Sequence, residues 1–107
     1  MPMTNNKMKK TEYAITANVW LYQGAGAWHF VTIPKNISDE IKLRYSDLIR
    51  GWGSLRVRVT VGQTHWATSI FFDKESSCYI LPIKIAVRKA EGIVLDRDVS
   101  FILELVV

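Results

Sequence analysis

A chain of 107 residues, 49% of them apolar, has the size of one domain with a single core, and this composition excludes an intrinsically disordered protein. Its one cysteine excludes a disulfide within the chain, and no apolar run approaches the ~18 residues of a membrane-spanning helix. Three of its fourteen basic residues lie among the first ten, and the other eleven face ten acidic residues. The charge of +4 therefore does not indicate a general nucleic-acid-binding surface.

Composition divides the chain into two segments. Residues 1–10 are polar and carry lysines without an apolar stretch behind them, which predicts a disordered tail and not a signal peptide. Residues 11–107 are predicted to form one domain, since no linker, repeat or low-complexity segment interrupts them. The lone Cys78 favours a reducing cytoplasm, and no association with a membrane is expected.

The first half of this domain is predicted to contain two strands and a helix. Apolar side chains alternate from about residue 11 to residue 22, as they do along a strand with one buried face. A second strand follows over 28–33. From 36 to 49 the apolar residues recur at helical spacing with charged residues between them, which predicts an amphipathic helix that ends before Gly51.

The second half begins with the clearest strand of the chain, over 55–61. Four branched residues point to one side of it, and Arg56 and Arg58 point to the other. A turn at Gly62 leads into a partner strand over 64–72, so the two strands form a hairpin.

The last three elements are a strand, a helix and a strand. The short strand covers 78–81. The helix is predicted over Ile83–Glu91, with its buried face formed by Ile83, Ala86, Val87 and Ala90. The final strand covers 99–106 and has apolar residues on both faces, which predicts a central strand or one covered on both sides.

Six strands, one amphipathic helix and one short helix predict a mainly β protein folded as a small closed barrel. Closure removes the exposed edges that an open sheet of this size would present. An open α+β sandwich is the alternative.

Four segments, in this order, resemble a known family. They are GAGAWHFV at 24–31, RGWGS at 50–54, WATSIF at 66–71, and YILPIK at 79–84 with AVRKAEG at 86–92. Together they are similar to the family of bacterial domains of unknown function numbered nineteen-oh-five. The resemblance implies a small β-barrel and no established activity, and some members carry a second domain associated with bacteriocin protection.

Catalytic and metal chemistry find little support in the residue types. His29 and His65 are far apart in the sequence and have no cysteine or histidine partner at ligand spacing, so no metal site is expected. Asp73, Asp96 and Asp98 lie near predicted turns, where aspartate is common for backbone reasons. No cofactor is expected.

Aromatic and basic residues supply the candidate site. Lys84 and Arg88 are four residues apart on the short helix and share a face, and Glu91 is expected to pair with Arg88. The four tryptophans of the chain are an unusual number, and an indole can form the floor of a ligand pocket. The predicted binding residues, placed at one end of the barrel, are Trp28, Trp52, Trp66, Lys74, Tyr79, Lys84 and Arg88.

These residues predict a non-enzymatic module for a small anion, a nucleic-acid phosphate or an acidic peptide, although binding to duplex nucleic acid is not expected to be tight. One alternative is a small enzyme in which Lys84 serves as a base or a Schiff-base amine, which would require a desolvated Lys84 with a lowered pKa. Another is a structural domain that forms homodimers. The sequence leaves open whether the protein is a monomer or a homodimer.

Overall fold

A computed structural model describes residues 11–24, 26–48 and 53–107, with only the backbone at Leu48. The described residues form six strands, two α-helices and one 3-10 turn. In chain order these are β1 (Glu12–Leu21), β2 (His29–Thr32), α1 (Lys35–Arg44), the 3-10 turn (Ser46–Leu48), β3 (Ser54–Val61), β4 (Thr64–Asp73), β5 (Cys78–Pro82), α2 (Ile85–Glu91) and β6 (Asp98–Leu105).

The strands form a closed barrel in the order β1-β2-β5-β4-β3-β6. Each neighbouring pair is antiparallel, and β6 pairs with β1 to close the barrel. The predicted fold class is thereby confirmed, and the open-sandwich alternative is wrong.

The barrel core consists of alternate residues from every strand. In β3 the four residues predicted to face inward, Leu55, Val57, Val59 and Val61, are all buried. Each such aliphatic side chain contributes roughly 1.5–3 kcal/mol to folding when it leaves water. Of the two alternatives predicted for the final strand, the first is confirmed, because β6 pairs with β1 on one edge and with β3 on the other. Its outer face is not covered by the described residues, since Ile102 is 40% exposed.

Helix α1 lies against the barrel through Ile41 and Ser38, both of which are buried. It ends at Arg44, earlier than predicted, and a separate 3-10 turn follows it. The Ser38 hydroxyl donates a hydrogen bond to the Ile33 carbonyl (2.9 Å) and accepts one from the Tyr79 amide (3.0 Å). These two bonds satisfy a buried polar group and attach the helix to β5.

Helix α2 is shorter than predicted and buries a different face. Lys84 has an extended backbone (φ −72°, ψ 158°), so the helix begins at Ile85. Of its seven residues only Val87 is buried, and the prediction that Ala86 and Ala90 face the core is wrong. Gly92 ends the helix in the left-handed conformation (φ 63°), as its position after the last apolar residue indicated.

The register between β4 and β5 leaves part of β4 uncovered. The two strands pair only through Phe71, Phe72 and Asp73 of β4. Among the described residues the earlier part of β4 has no strand partner on this side, and α2 lies there instead. The wall of the barrel thus has a gap between the first residues of β4 and the start of α2.

A candidate anion-binding cleft

The gap beside β4 opens into a cleft of about 440 Å³, which we call the β4–α2 cleft. This volume lies within the range of small-molecule binding sites. Its lining comes from the start of β2, from β4 and from the segment that joins β5 to α2. The residues are Ala27, Trp28, His29, Trp66, Ala67, Thr68, Pro82, Ile83, Lys84, Ile85 and Arg88.

Two indole rings form much of the apolar wall. Trp66 is half-buried and packs against the barrel core. Trp28 is 57% exposed, although its ring is stacked on Phe30 with a centroid distance of 6.0 Å and an interplanar angle of 14°. Behind it, Gly26 adopts φ 82°, and a Cβ at this position would lie 3.1 Å from the indole Cδ1. The loop backbone is therefore close against the ring, so Trp28 is held in place while much of its surface stays open.

Lys84 is placed at the cleft by the turn between β5 and α2. Its carbonyl accepts hydrogen bonds from the amides of Val87 and Arg88, both at 3.1 Å, which begin the helix. Its side chain is exposed, and among the described residues it forms no ion pair. The ammonium group is thus free to contact a ligand in the cleft.

Arg88 lies one turn further along and is held by two hydrogen bonds. Its Nε donates to the Ile83 carbonyl at 3.1 Å, and Nη1 donates to His29 Nε2 at 3.3 Å. The tautomer of the histidine follows from its other bond. Because a carbonyl only accepts, Nδ1 must donate to the Ala27 carbonyl (2.9 Å), which leaves Nε2 as the acceptor in a neutral ring. The guanidinium group keeps further N–H donors beyond these two bonds.

No carboxylate in the described part of the chain neutralises the two cations. The lining of the cleft contains no Asp or Glu. The expected pair between Glu91 and Arg88 is wrong, since Glu91 Oε2 accepts a hydrogen bond of 2.5 Å from the Thr64 hydroxyl on β4 instead. Within the described part of the chain Arg88 forms no ion pair. The cleft therefore has a net positive charge.

The cleft brings together four of the seven residues predicted for the site: Trp28, Trp66, Lys84 and Arg88. Lys74 is exposed in the turn between β4 and β5, away from the cleft lining. Tyr79 lies in the barrel core, where burial raises the pKa of its phenol. Trp52 lies outside the described residues, as does the predicted tail at 1–10.

His29 is the residue whose role the sequence did not reveal. The sequence predicts no metal site at His29 and no other role, whereas in the cleft it contacts the side chain of Arg88, 59 residues away. In the sequence, the one feature that could have indicated a place for His29 in the site was its position next to Trp28. No three His, Cys, Asp or Glu side chains in the described part of the chain are grouped to hold a metal ion. Asp73 has the turn role predicted for it, because its Oδ2 accepts from the Ser76 hydroxyl at 2.7 Å.

Comparison with known proteins identifies the family. A family model described as a domain of unknown function (DUF1905) matches residues 16–103, which confirms the resemblance drawn from the four sequence segments. No curated protein matches the chain. Neither described helix has the length and apolar character to cross a membrane.

Proposed function

We propose that this chain, which belongs to the DUF1905 family, is a non-catalytic module that binds a small anionic ligand in the β4–α2 cleft. The family description assigns no activity, so the proposal rests on the cleft itself. The proposed site includes four of the seven residues predicted from the sequence, and it does not include Lys74 or Tyr79.

One observation carries the proposal. Lys84 and Arg88 line the same cleft, and no acidic residue shares that lining. Two unpaired cations that line one cleft repel each other, and an anion bound between them removes that cost. Charge-assisted hydrogen bonds from a guanidinium group are also among the stronger polar contacts in proteins. The pair therefore fits a phosphate or a carboxylate group.

The catalytic alternative lacks its main requirement. A lysine that acts as a base or a Schiff-base amine at neutral pH needs a desolvated side chain. Lys84 is exposed at the rim of the cleft. A binding module has no such requirement, so exposure of Lys84 supports binding over catalysis.

Thermal unfolding with added phosphate tests the proposal. A ligand at tenfold its dissociation constant stabilises the folded state by about 1.4 kcal/mol, which raises the Tm of a domain of this size by about 6 °C. We expect this rise for the wild-type protein at fixed ionic strength. The variant Lys84→Ala/Arg88→Ala should lose it, because both cations are gone.

A second double variant provides the matched control. Lys89 and Arg97 are exposed and lie outside the cleft lining, so Lys89→Ala/Arg97→Ala removes one lysine and one arginine without touching the site. It should keep the full phosphate effect. If both double variants respond to phosphate as wild type does, the effect is general screening and the proposal is wrong. Lys84→Ala alone repeats the test if the loss of the Arg88 bonds unfolds the first variant.

A further inference from the structure

The β4–α2 cleft is larger and more apolar than a site for a bare anion needs to be. Besides Lys84 and Arg88, its lining includes the two indoles Trp28 and Trp66 and the apolar side chains of Pro82, Ile83 and Ile85. A phosphate ion bound to Lys84 and Arg88 would leave these apolar surfaces in contact with water. A ligand that filled the cleft would carry an apolar part attached to its anionic group.

Trp28 indicates the shape of that apolar part. Contiguous exposed apolar patches mark interaction sites more often than ordinary surface, and the exposed Trp28 and Tyr22 rings, which both pack on Phe30, form such a patch. The Trp28 ring is ordered by its stack on Phe30, which is itself contacted by Trp20 at 5.2 Å and by Tyr22 at 6.1 Å between ring centroids. Because these contacts restrict the indole before a ligand arrives, less side-chain entropy is lost on binding than for an aromatic side chain without neighbours. A fixed, open indole surface is suited to stacking against a planar ring.

Trp28 also borders a second groove, with Tyr22, Phe30 and Phe71, and none of the described residues that line this groove is charged. Only on the side of the β4–α2 cleft does the indole share a site with Lys84 and Arg88. A ring that stacks on the cleft side and carries an anion is therefore complementary to both features at once.

We propose that the ligand of the β4–α2 cleft is a planar aromatic compound that carries a phosphate, the chemistry of a nucleoside monophosphate, with its ring against Trp28 and its phosphate between Lys84 and Arg88. This rests on the proposed function, because it names the ligand class of the same site. The shared chemistry is found both in free mononucleotides and in the nucleotides of a single strand.

Titration calorimetry with a graded set of probes tests the inference. The probes are inorganic phosphate, ribose 5-phosphate, adenosine and adenosine monophosphate, all at one ionic strength. Base stacking on an aromatic side chain strengthens binding by about fivefold or more. We expect adenosine monophosphate to bind at least that much more tightly than ribose 5-phosphate, and adenosine to bind more weakly than its monophosphate.

Two variants that each remove an aromatic side chain test where the ring of the ligand binds. Trp28→Leu should reduce the affinity for adenosine monophosphate to that for ribose 5-phosphate and leave the latter unchanged. Phe71→Leu removes another exposed aromatic ring, which borders the second groove and does not line the cleft, so it should change neither affinity. An equal loss in both variants would overturn the placement of the ring against the cleft side of Trp28.

The outcomes separate the two proposals. If ribose 5-phosphate and adenosine monophosphate bind equally, and both are lost in Lys84→Ala/Arg88→Ala, the anion site stands and the aromatic ligand is wrong. If no phosphate compound binds, both proposals fail. If adenosine binds as tightly as its monophosphate, the cations have no role and this inference is overturned. If a short single-stranded oligonucleotide binds more tightly than adenosine monophosphate, and Trp28→Leu weakens the binding of both, the proposed ligand class is supported. The nucleotide bound by the cleft is then part of a single strand.

Discussion

Replacement of Tyr79 by phenylalanine is expected to stabilise the protein. Tyr79 is fully buried, and its ring packs edge-on against Phe72 at a centroid distance of 5.4 Å. Among the described residues its hydroxyl group has no hydrogen-bond partner. The folded state therefore loses the hydration of this group and gains no bond in return, whereas the unfolded chain keeps the hydroxyl in water.

The expected size of the effect follows from that imbalance. An unpaired buried polar group costs about 1–3 kcal/mol, and Tyr79→Phe removes the oxygen while it keeps the ring and its contacts. The small space left behind offsets part of the gain. A net increase of about 1 kcal/mol in the free energy of unfolding is expected, which corresponds to a rise in Tm of roughly 4–8 °C.

Tyr13 provides a matched control with the opposite sign. It is also buried, but its hydroxyl donates a hydrogen bond of 2.9 Å to Glu40 Oε2. Tyr13→Phe should lower the free energy of unfolding by about 1 kcal/mol, because a bond to a charged acceptor is lost. Urea denaturation of the three proteins, with a check that the m-value is unchanged, measures both differences. Destabilisation by Tyr79→Phe of the same size as by Tyr13→Phe would refute the reasoning, since it would show that the Tyr79 hydroxyl is bonded in the folded protein.

Two further predictions concern the same region. Burial raises the pKa of Tyr13, Tyr45 and Tyr79 above the ordinary value of about 10, and the hydrogen bond to Glu40 adds to the rise for Tyr13. Above about pH 10 the tyrosines of the unfolded chain lose their protons first, so the folded state binds more protons than the unfolded state. The free energy of unfolding therefore has its full value below about pH 10 and should fall as the pH rises further. The expected slope is up to about 1.4 kcal/mol per pH unit for each tyrosine. Urea midpoints that stay constant up to about pH 11.5 would contradict this. Ser38→Ala should lower the free energy of unfolding by about 1–3 kcal/mol, because the Ser38 hydroxyl bonds two buried backbone groups, and an unchanged melting curve would show that these groups find other partners.

The strands were predictable from the sequence because their signal is local. In β3 the alternation of Val57 and Val59 with Arg56 and Arg58 gives the period, the buried face and the exposed face together. The short helix shows where such a signal weakens. Helical spacing groups Ala86 with Val87, but a helix that touches the barrel along a narrow line buries the valine and leaves the small alanine exposed.

The site was predictable only in its residue types. Tryptophans and basic residues were recognised as candidates, yet their selection depends on contacts between distant parts of the chain. Glu91 bonds Thr64 and so leaves Arg88 unneutralised, and the two residues of that bond are 27 positions apart. His29 holds Arg88 in the same way, from a position 59 residues away in the sequence. Tyr79 has an aromatic side chain suited to a pocket, but alternation along β5 places it in the core.

The closure of the barrel between its first and last strands also sets the order in which the protein can fold. Glu12 of β1 is the register partner of Glu104 of β6, so this seam joins positions almost as distant in the sequence as the described chain allows. Contacts of such high sequence separation slow folding, because the chain must lose the entropy of a long loop before the strands pair. Until β6 is in place, β1 and β3 each present an unpaired edge, which is a template for association with other chains. During synthesis on the ribosome these two edges stay unpaired until β6 has left the exit tunnel. The final strand therefore governs how long the nascent chain is exposed to aggregation.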